Sequence, residues 1–189
     1  KMFNTFEGGA IVCPDAATKQ RIDLLKNFGF VDEITVDSLG INGKMSEINA
    51  AFGLLQLKGI DAAVRKRKII DAHYRKGLSR IKGIHCLPDA GEKVANYTSF
   101  PILVRPEYPL SRDALYQKLH DGQIRVRRYF YPLISEFPMY RNTLSVMRDR
   151  LATARDAANS VICLPMSSNL SVYDAERVVS CIRHGADSA

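Results

Sequence analysis

The sequence predicts an α/β fold with a mostly antiparallel sheet and helices on one side of it. Two observations carry this prediction. Short runs such as Val161-Ile-Cys-Leu164 are rich in strand-forming residues and are stopped by proline, as strands often are. Between them lie stretches whose apolar residues recur at three- and four-residue steps, the spacing of a helix packed on one face. At 189 residues, 46% of them hydrophobic and 25% charged, the chain can bury a sizeable core and has the composition of a globular protein. It shows no repeats and no low-complexity tract.

Taken in order, Ala10-Ile-Val-Cys13 reads as a strand ended by Pro14-Asp15. Thr18 to Phe28 carries Ile22, Leu24, Leu25 and Phe28 at helical spacing and stops at Gly29. Val31 to Ile41 is loop-like. From Asn42 to Ile81 there is no proline, and Met45, Ile48, Phe52 and Leu55 follow a helical step, with Ser46 or Asn42 as the cap. A helix of that length spans roughly 50 to 60 Å, and Gly53 and Gly59 mark places where it can bend or break. Ile84 to Leu87 and Thr98 to Val104 are strand-like. Ser111-Arg-Asp113 is a good helix start, and the helix runs to Asp121-Gly122. Ile124 to Tyr131 alternates as a strand, Ala152 to Ser160 is helical, Val161 to Leu164 is a strand, and Ser171 to Arg183 is a final amphipathic helix.

Composition also excludes classes. No apolar run approaches the roughly 18 to 20 residues that span a bilayer, and the first residues lack a signal-peptide core. The cysteines Cys13, Cys86, Cys163 and Cys181 have no C-x-x-C spacing and no histidine at ligand distance, so free thiols in a reducing cytoplasm are expected, with no metal. The net charge of +7 invites a nucleic-acid reading, yet no helix-turn-helix, zinc or RNA-binding signature accompanies it. The cluster Arg65-Lys66-Arg67-Lys68 falls in a helix and reads as a solvated face. A small phosphate-bearing molecule suits the remaining basic residues better than a nucleic acid. His73, His85, His120 and His184 lack triad-like or metal-like neighbours and read as core or surface residues.

Three constellations can carry chemistry. Lys1 precedes Glu7-Gly8-Gly9, and a primary amine beside a tight glycine turn suits imine chemistry. The same residues also suit a plain structural turn. Gly40-Ile-Asn42-Gly-Lys44-Met-Ser-Glu-Ile-Asn-Ala-Ala-Phe-Gly-Leu-Leu-Gln-Leu57 offers Asn42, Lys44 and free N–H groups at a helix start to a phosphate, or is simply a capped helix. Arg125-Val-Arg127-Arg128-Tyr129-Phe130-Tyr131-Pro132-Leu133 places arginines and tyrosine hydroxyls where a carboxylate or pyrophosphate can be held, or forms a charged edge strand.

In this order the three constellations resemble the DegT/DnrJ/EryC1/StrS family of pyridoxal-phosphate-dependent nucleotide-sugar aminotransferases, over the whole chain. In that family the lysine of a Ser-Phe-His-Ala-Thr-Lys-type motif binds the cofactor as a Schiff base. Lys1 stands at that position, without the residues that usually precede it. The resemblance implies that Asn42 reaches the cofactor phosphate of the neighbouring subunit in a homodimer, with Lys44 close to the same intersubunit site. It places Tyr129, with Arg128, near the substrate pocket. The family often continues Pro-Leu-His where this chain has Pro132-Leu133-Ile134, which removes a histidine contact to substrate.

The implied fold is the aspartate aminotransferase-like fold type I. Residues 1–40 would end the large cofactor domain, 41–81 would be the connecting helix, and 82–189 the small C-terminal domain. The implied reaction transfers an amino group, with glutamate as donor, to a nucleotide-linked (dTDP) keto-deoxysugar in deoxyaminosugar, lipopolysaccharide or antibiotic-sugar biosynthesis. Lysine at position 1 argues against the family's dehydratase branch, which has histidine there. Two other readings stand beside this one: a non-catalytic C-terminal fragment of such an enzyme, and a basic phosphate- or nucleic-acid-binding module.

Overall fold

A computed structural model describes residues 2–88, 95–142 and 151–187 of the chain. Helix α1 (Ala16–Lys26) begins at Asp15, whose carboxylate accepts from the Thr18 N–H at 2.7 Å and from its hydroxyl at 3.1 Å. Those bonds satisfy an otherwise unpaired helix-end donor and hold the Asp15 carboxyl below its usual range. The helix ends at Lys26, and the turn that follows passes through Gly29, whose φ of +83° and closeness to Ser38 (a Cβ there would lie 1.7 Å from the Ser38 carbonyl oxygen) only glycine accommodates.

Helix α2 (Glu47–Leu78) runs unbroken through Gly53 and Gly59. Of the two candidate caps, Ser46 is the one used, its Oγ accepting from the Asn49 N–H at 3.2 Å. The chain divides into two compact units, Phe3–Asp61 and Ala62–Ala189, and the division falls within α2.

In the second unit α2 turns a stripe of Arg67, Ile70, Asp71, Tyr74 and Leu78 inward at helical spacing. This corrects the reading of Arg65 to Lys68 as a uniformly solvated face. Arg65, Lys66 and Lys68 are exposed, whereas Arg67 falls on the buried stripe and donates to the carbonyls of Tyr97 and Thr98 at 3.1 and 3.3 Å. Strands β1 (Ile84–Cys86), β2 (Phe100–Val104) and β3 (Val161–Leu164) form an antiparallel sheet in the order β1-β2-β3. Its register sets Ile84 opposite Val104 and Ile102 opposite Ile162. Helices α3 (Arg112–Asp121), α4 (Ala152–Ser160) and α5 (Val172–Asp187) complete the unit. Ile102, Leu115, Leu119, Ile162, Val179 and Ile182 are sealed from water at its centre. Cys163 is buried on β3 as a free thiol, and burial pushes its pKa up.

Two strand expectations are corrected. Ala10 to Cys13 forms no strand, because no ladder partner pairs with it among the described residues, and Ile11 and Val12 are left exposed. Ile124 to Tyr131 keeps its alternation at Ile124 and Val126, both buried, but pairs with the sheet only where Arg127 and Cys163 exchange backbone hydrogen bonds of 3.1 and 2.7 Å. Past Arg128 the backbone leaves the strand path, with cis peptide bonds at Tyr129-Phe130 and Tyr131-Pro132. Among the described residues no helix is long and apolar enough to cross a membrane.

Candidate functional site

Lys1 lies outside the described residues. The segment that follows it is fixed within the first unit by the start of α2. Asn49 Nδ2 donates to the Glu7 carbonyl at 2.6 Å across 42 residues of sequence, and the buried Thr5 hydroxyl donates to the same oxygen at 3.3 Å. Phe6 stacks on Phe52 with ring centroids 4.3 Å apart. Two glycines make this fit possible. A Cβ on Gly8 would sit 2.6 Å from Thr5 Oγ1 and 2.8 Å from Met45 Cε, and one on Gly53 would sit 2.7 Å from Thr5 Cγ2. A largely apolar cleft of about 670 Å³ opens beside the turn, lined by Phe3, Thr5, Gly8, Met45 and Leu54 among others.

Asn42 and Lys44 sit on the return segment of the same unit. The Ile41 and Gly43 N–H groups donate to the Leu25 and Lys26 carbonyls, both at 2.8 Å, so the backbone on either side of Asn42 is tied to the last turn of α1. Gly40 permits this approach, since a Cβ there would lie 2.5 Å from the Gly29 nitrogen. The Asn42 amide is exposed and has no side-chain hydrogen-bond partner among the described residues. Lys44 Nζ lies 5.4 Å from the Phe28 ring centroid, a cation–π distance that orients its charge.

The second unit holds Arg128 and Tyr129. Arg128 Nη1 donates to Asp113 Oδ1 at 2.7 Å, and its guanidinium lies over the Tyr116 ring at 4.2 Å. Arg112 Nε donates to the same Asp113 oxygen at 2.7 Å, and Arg112 lies 4.5 Å from the Tyr131 ring centroid. Two arginines sharing one carboxylate leave an excess positive charge at this place. Tyr129 and Phe130 are exposed and stack at 5.0 Å. The structure therefore groups Asn42 with Lys44, and Arg128 with Tyr129. Sequence reasoning missed Asn49, which holds the Glu7 turn, and Asp113, which holds Arg128. Asp113 was visible only as a helix-start acid, and Asn49 only as one residue of the helix block.

The sequence profile of the DegT/DnrJ/EryC1/StrS aminotransferase family matches residues 1–183. The chain belongs to this family. Among its relatives, the dTDP-4-amino-4,6-dideoxy-D-glucose transaminase of Shigella dysenteriae is 49% identical over 183 residues, covering 97% of this chain and 49% of that protein. The Escherichia coli transaminase of the same name is 53% identical over 166 residues, covering 88% of this chain and 45% of that protein. The crystal structure of DesI in the presence of its TDP-sugar product superposes with a TM-score of 0.87 at 29% identity, over 98% of this chain and 47% of that one. DesV of S. venezuelae shares the fold at a TM-score of 0.84 and 23% identity, over 93% of this chain and 46% of that one. The fold is thus the α/β fold type I of these family members. The chain spans about half the length of the curated relatives it matches.

Proposed function

We propose that this chain is the C-terminal half of a pyridoxal-phosphate-dependent aminotransferase acting on a dTDP-linked keto-deoxysugar, with glutamate as amino donor. The observation that carries the reading is the pinned Glu7-Gly8 turn six residues after Lys1, in a chain 49% and 53% identical to two dTDP-sugar transaminases. The relatives' names put the amine on carbon 4 of a 4,6-dideoxyglucose. Since transamination interconverts amine and ketone at one carbon, the corresponding 4-keto-6-deoxy sugar is the acceptor. Residues 1–40 would close the large domain, 41–81 connect, and 82–189 form the small domain. The exposed Ile11 and Val12 are consistent with this, as a strand whose neighbours lie in the part of the relatives that this chain does not cover.

The residues present fit the cofactor. Asn42 offers an exposed, unengaged amide on a backbone tied to α1, and Lys44 adds a cation two residues on, held over the Phe28 ring. In a homodimer these two would serve the partner's cofactor phosphate. Pyridoxal 5'-phosphate, when bound, supplies the electron sink for breaking bonds at the substrate carbon. Lys1 would hold the cofactor through Nζ and would serve as the base and acid that takes and returns the proton at the carbon changing between amine and ketone. The Glu7 turn anchors the segment that follows Lys1 at Thr5 and Glu7. Arg128 and the excess charge around Asp113 would face the sugar nucleotide's pyrophosphate, with Tyr129 beside the sugar. A cytoplasmic site and a role in lipopolysaccharide or related sugar biosynthesis follow from the substrate class.

The test is the complete protein loaded with cofactor. Wild type should show the visible absorbance of the lysine-bound cofactor and convert glutamate to 2-oxoglutarate when given the dTDP-4-keto sugar. Lys1→Ala should lose the band and at least about a thousandfold in rate. A Lys1→Ala protein with the same band and turnover would refute the assignment. The 189-residue chain alone should retain cofactor poorly, and full occupancy after dialysis would contradict that.

A further inference from the structure

We propose that Asp113 is a positioning residue for sugar-nucleotide binding, locking Arg112 and Arg128 into a frame that holds Tyr129 and Phe130 outward. The proposal rests on the aminotransferase reading in taking the Arg128–Pro132 segment to border the sugar site. One oxygen, Asp113 Oδ1, accepts from Arg112 Nε and from Arg128 Nη1, each at 2.7 Å. Arg112 is the fixed end of the frame. Its side chain is 5% exposed, and Nη1 donates to the Ala158 carbonyl at 2.8 Å, so Asp113 is referenced to the packed end of α4.

Arg128 is the adjustable end. The Tyr116 ring lies 4.2 Å and the Tyr131 ring 5.7 Å from its guanidinium. The backbone is pinned on both sides, by the Arg127–Cys163 pair and by the Tyr131 N–H donating to the Arg128 carbonyl at 2.8 Å. With Arg128 and Tyr131 both engaged, the residues left between them are Tyr129 and Phe130. They stand 49% and 78% exposed, stacked as an aromatic shelf. Such a shelf suits the C–H face of a sugar ring, and the charge excess next to it suits an anionic phosphate.

The frame acts through geometry rather than stability. The Asp113 side chain is 61% exposed, so water screens its carboxylate and its ion pair with Arg128 contributes little to the fold. Asp113→Asn should therefore fold normally while loosening the shelf. In the complete protein the expected result is a rise of about tenfold in KM for the dTDP-sugar, with kcat and the KM for glutamate within about twofold of wild type. Asp113→Glu, which keeps the charge, should recover much of the loss. Amide hydrogen exchange across 128–133 should speed up in Asp113→Asn.

An unchanged sugar KM would overturn the positioning role, as would equal losses for both substrates accompanied by a lower melting temperature. Unchanged exchange across 128–133 would show that the frame does not hold the shelf. If wild type transfers no amine to any nucleotide sugar, the aminotransferase reading fails and takes the sugar role with it. Exchange then still decides separately whether Asp113 restrains the segment.

Discussion

Gly53 and Gly59 lie on the same helix and invite the same substitution, yet alanine should stabilise at Gly59 and not at Gly53. Around Gly59 an added Cβ would meet nothing within 4 Å, so Gly59→Ala contributes only its better helix propensity. That gain is about 0.5 to 1 kcal/mol, a rise of about 1 to 4 °C in melting temperature for a chain of this size. At Gly53 the same gain is opposed by a methyl placed 2.7 Å from Thr5 Cγ2, well inside the 3.4–4 Å of an ordinary contact. Thr5 cannot simply rotate away. Its hydroxyl donates to the Glu7 carbonyl, and a new rotamer breaks that bond. Overpacking of this kind costs about 1 to 3 kcal/mol, so Gly53→Ala should be neutral to destabilising by about 2 kcal/mol overall. The displacement falls on the segment that follows Lys1, so the complete protein should also lose cofactor absorbance on dilution. Thermal melts and absorbance titrations of both variants measure the contrast. If Gly53→Ala stabilises as much as Gly59→Ala and keeps its cofactor, the Phe3–Gly9 segment does not pack on α2 as described.

Two further outcomes concern the second unit. Tyr74 is fully buried and its hydroxyl donates to the Pro165 carbonyl at 3.0 Å, so Tyr74→Phe should lose about 1 to 2 kcal/mol by chemical denaturation while keeping the ring's packing on Phe100. An unchanged denaturation midpoint would rule out a stabilising role for that bond. Glu176 has its carboxyl held below the ordinary value of 4.5, chiefly by the hydrogen bond with His73 at 2.8 Å. A carboxyl whose folded pKa is depressed stabilises fully above its ordinary value and loses that contribution as pH falls through the folded one. Glu176→Gln should therefore flatten part of the acid limb of stability below pH 4.5, by a small amount because the side chain is 46% exposed. Identical acid limbs for wild type and variant would count against the pairing.

The sequence by itself settled whatever depends on local pattern. The helical spacing between Asn42 and Ile81, the cap at Ser111, and the short runs around Ile102 and Ile162 each carry their own signal, while the choice of Ser46 over Asn42 as the cap of α2 fell to the structure. The ordered motifs from Lys1 to Leu133 were enough to point to the family. What the sequence could not settle depends on partners distant along the chain. Ala10 to Cys13 has strand composition but pairs with no neighbour among the described residues, and a strand is defined by its ladder rather than by its own residues. Arg67 looked like its basic neighbours until helix rotation placed it on the buried stripe. Gly53 looked like a weak point in a helix, and only the Phe3–Thr5 segment lying against it shows why a side chain is excluded. The union of Arg112 and Arg128 on one Asp113 oxygen joins residues that no local rule relates. Periodicity and caps act within a few residues, so they are written in the sequence. Pairing, close approach and shared charge act across the fold, and only the tertiary structure decides them.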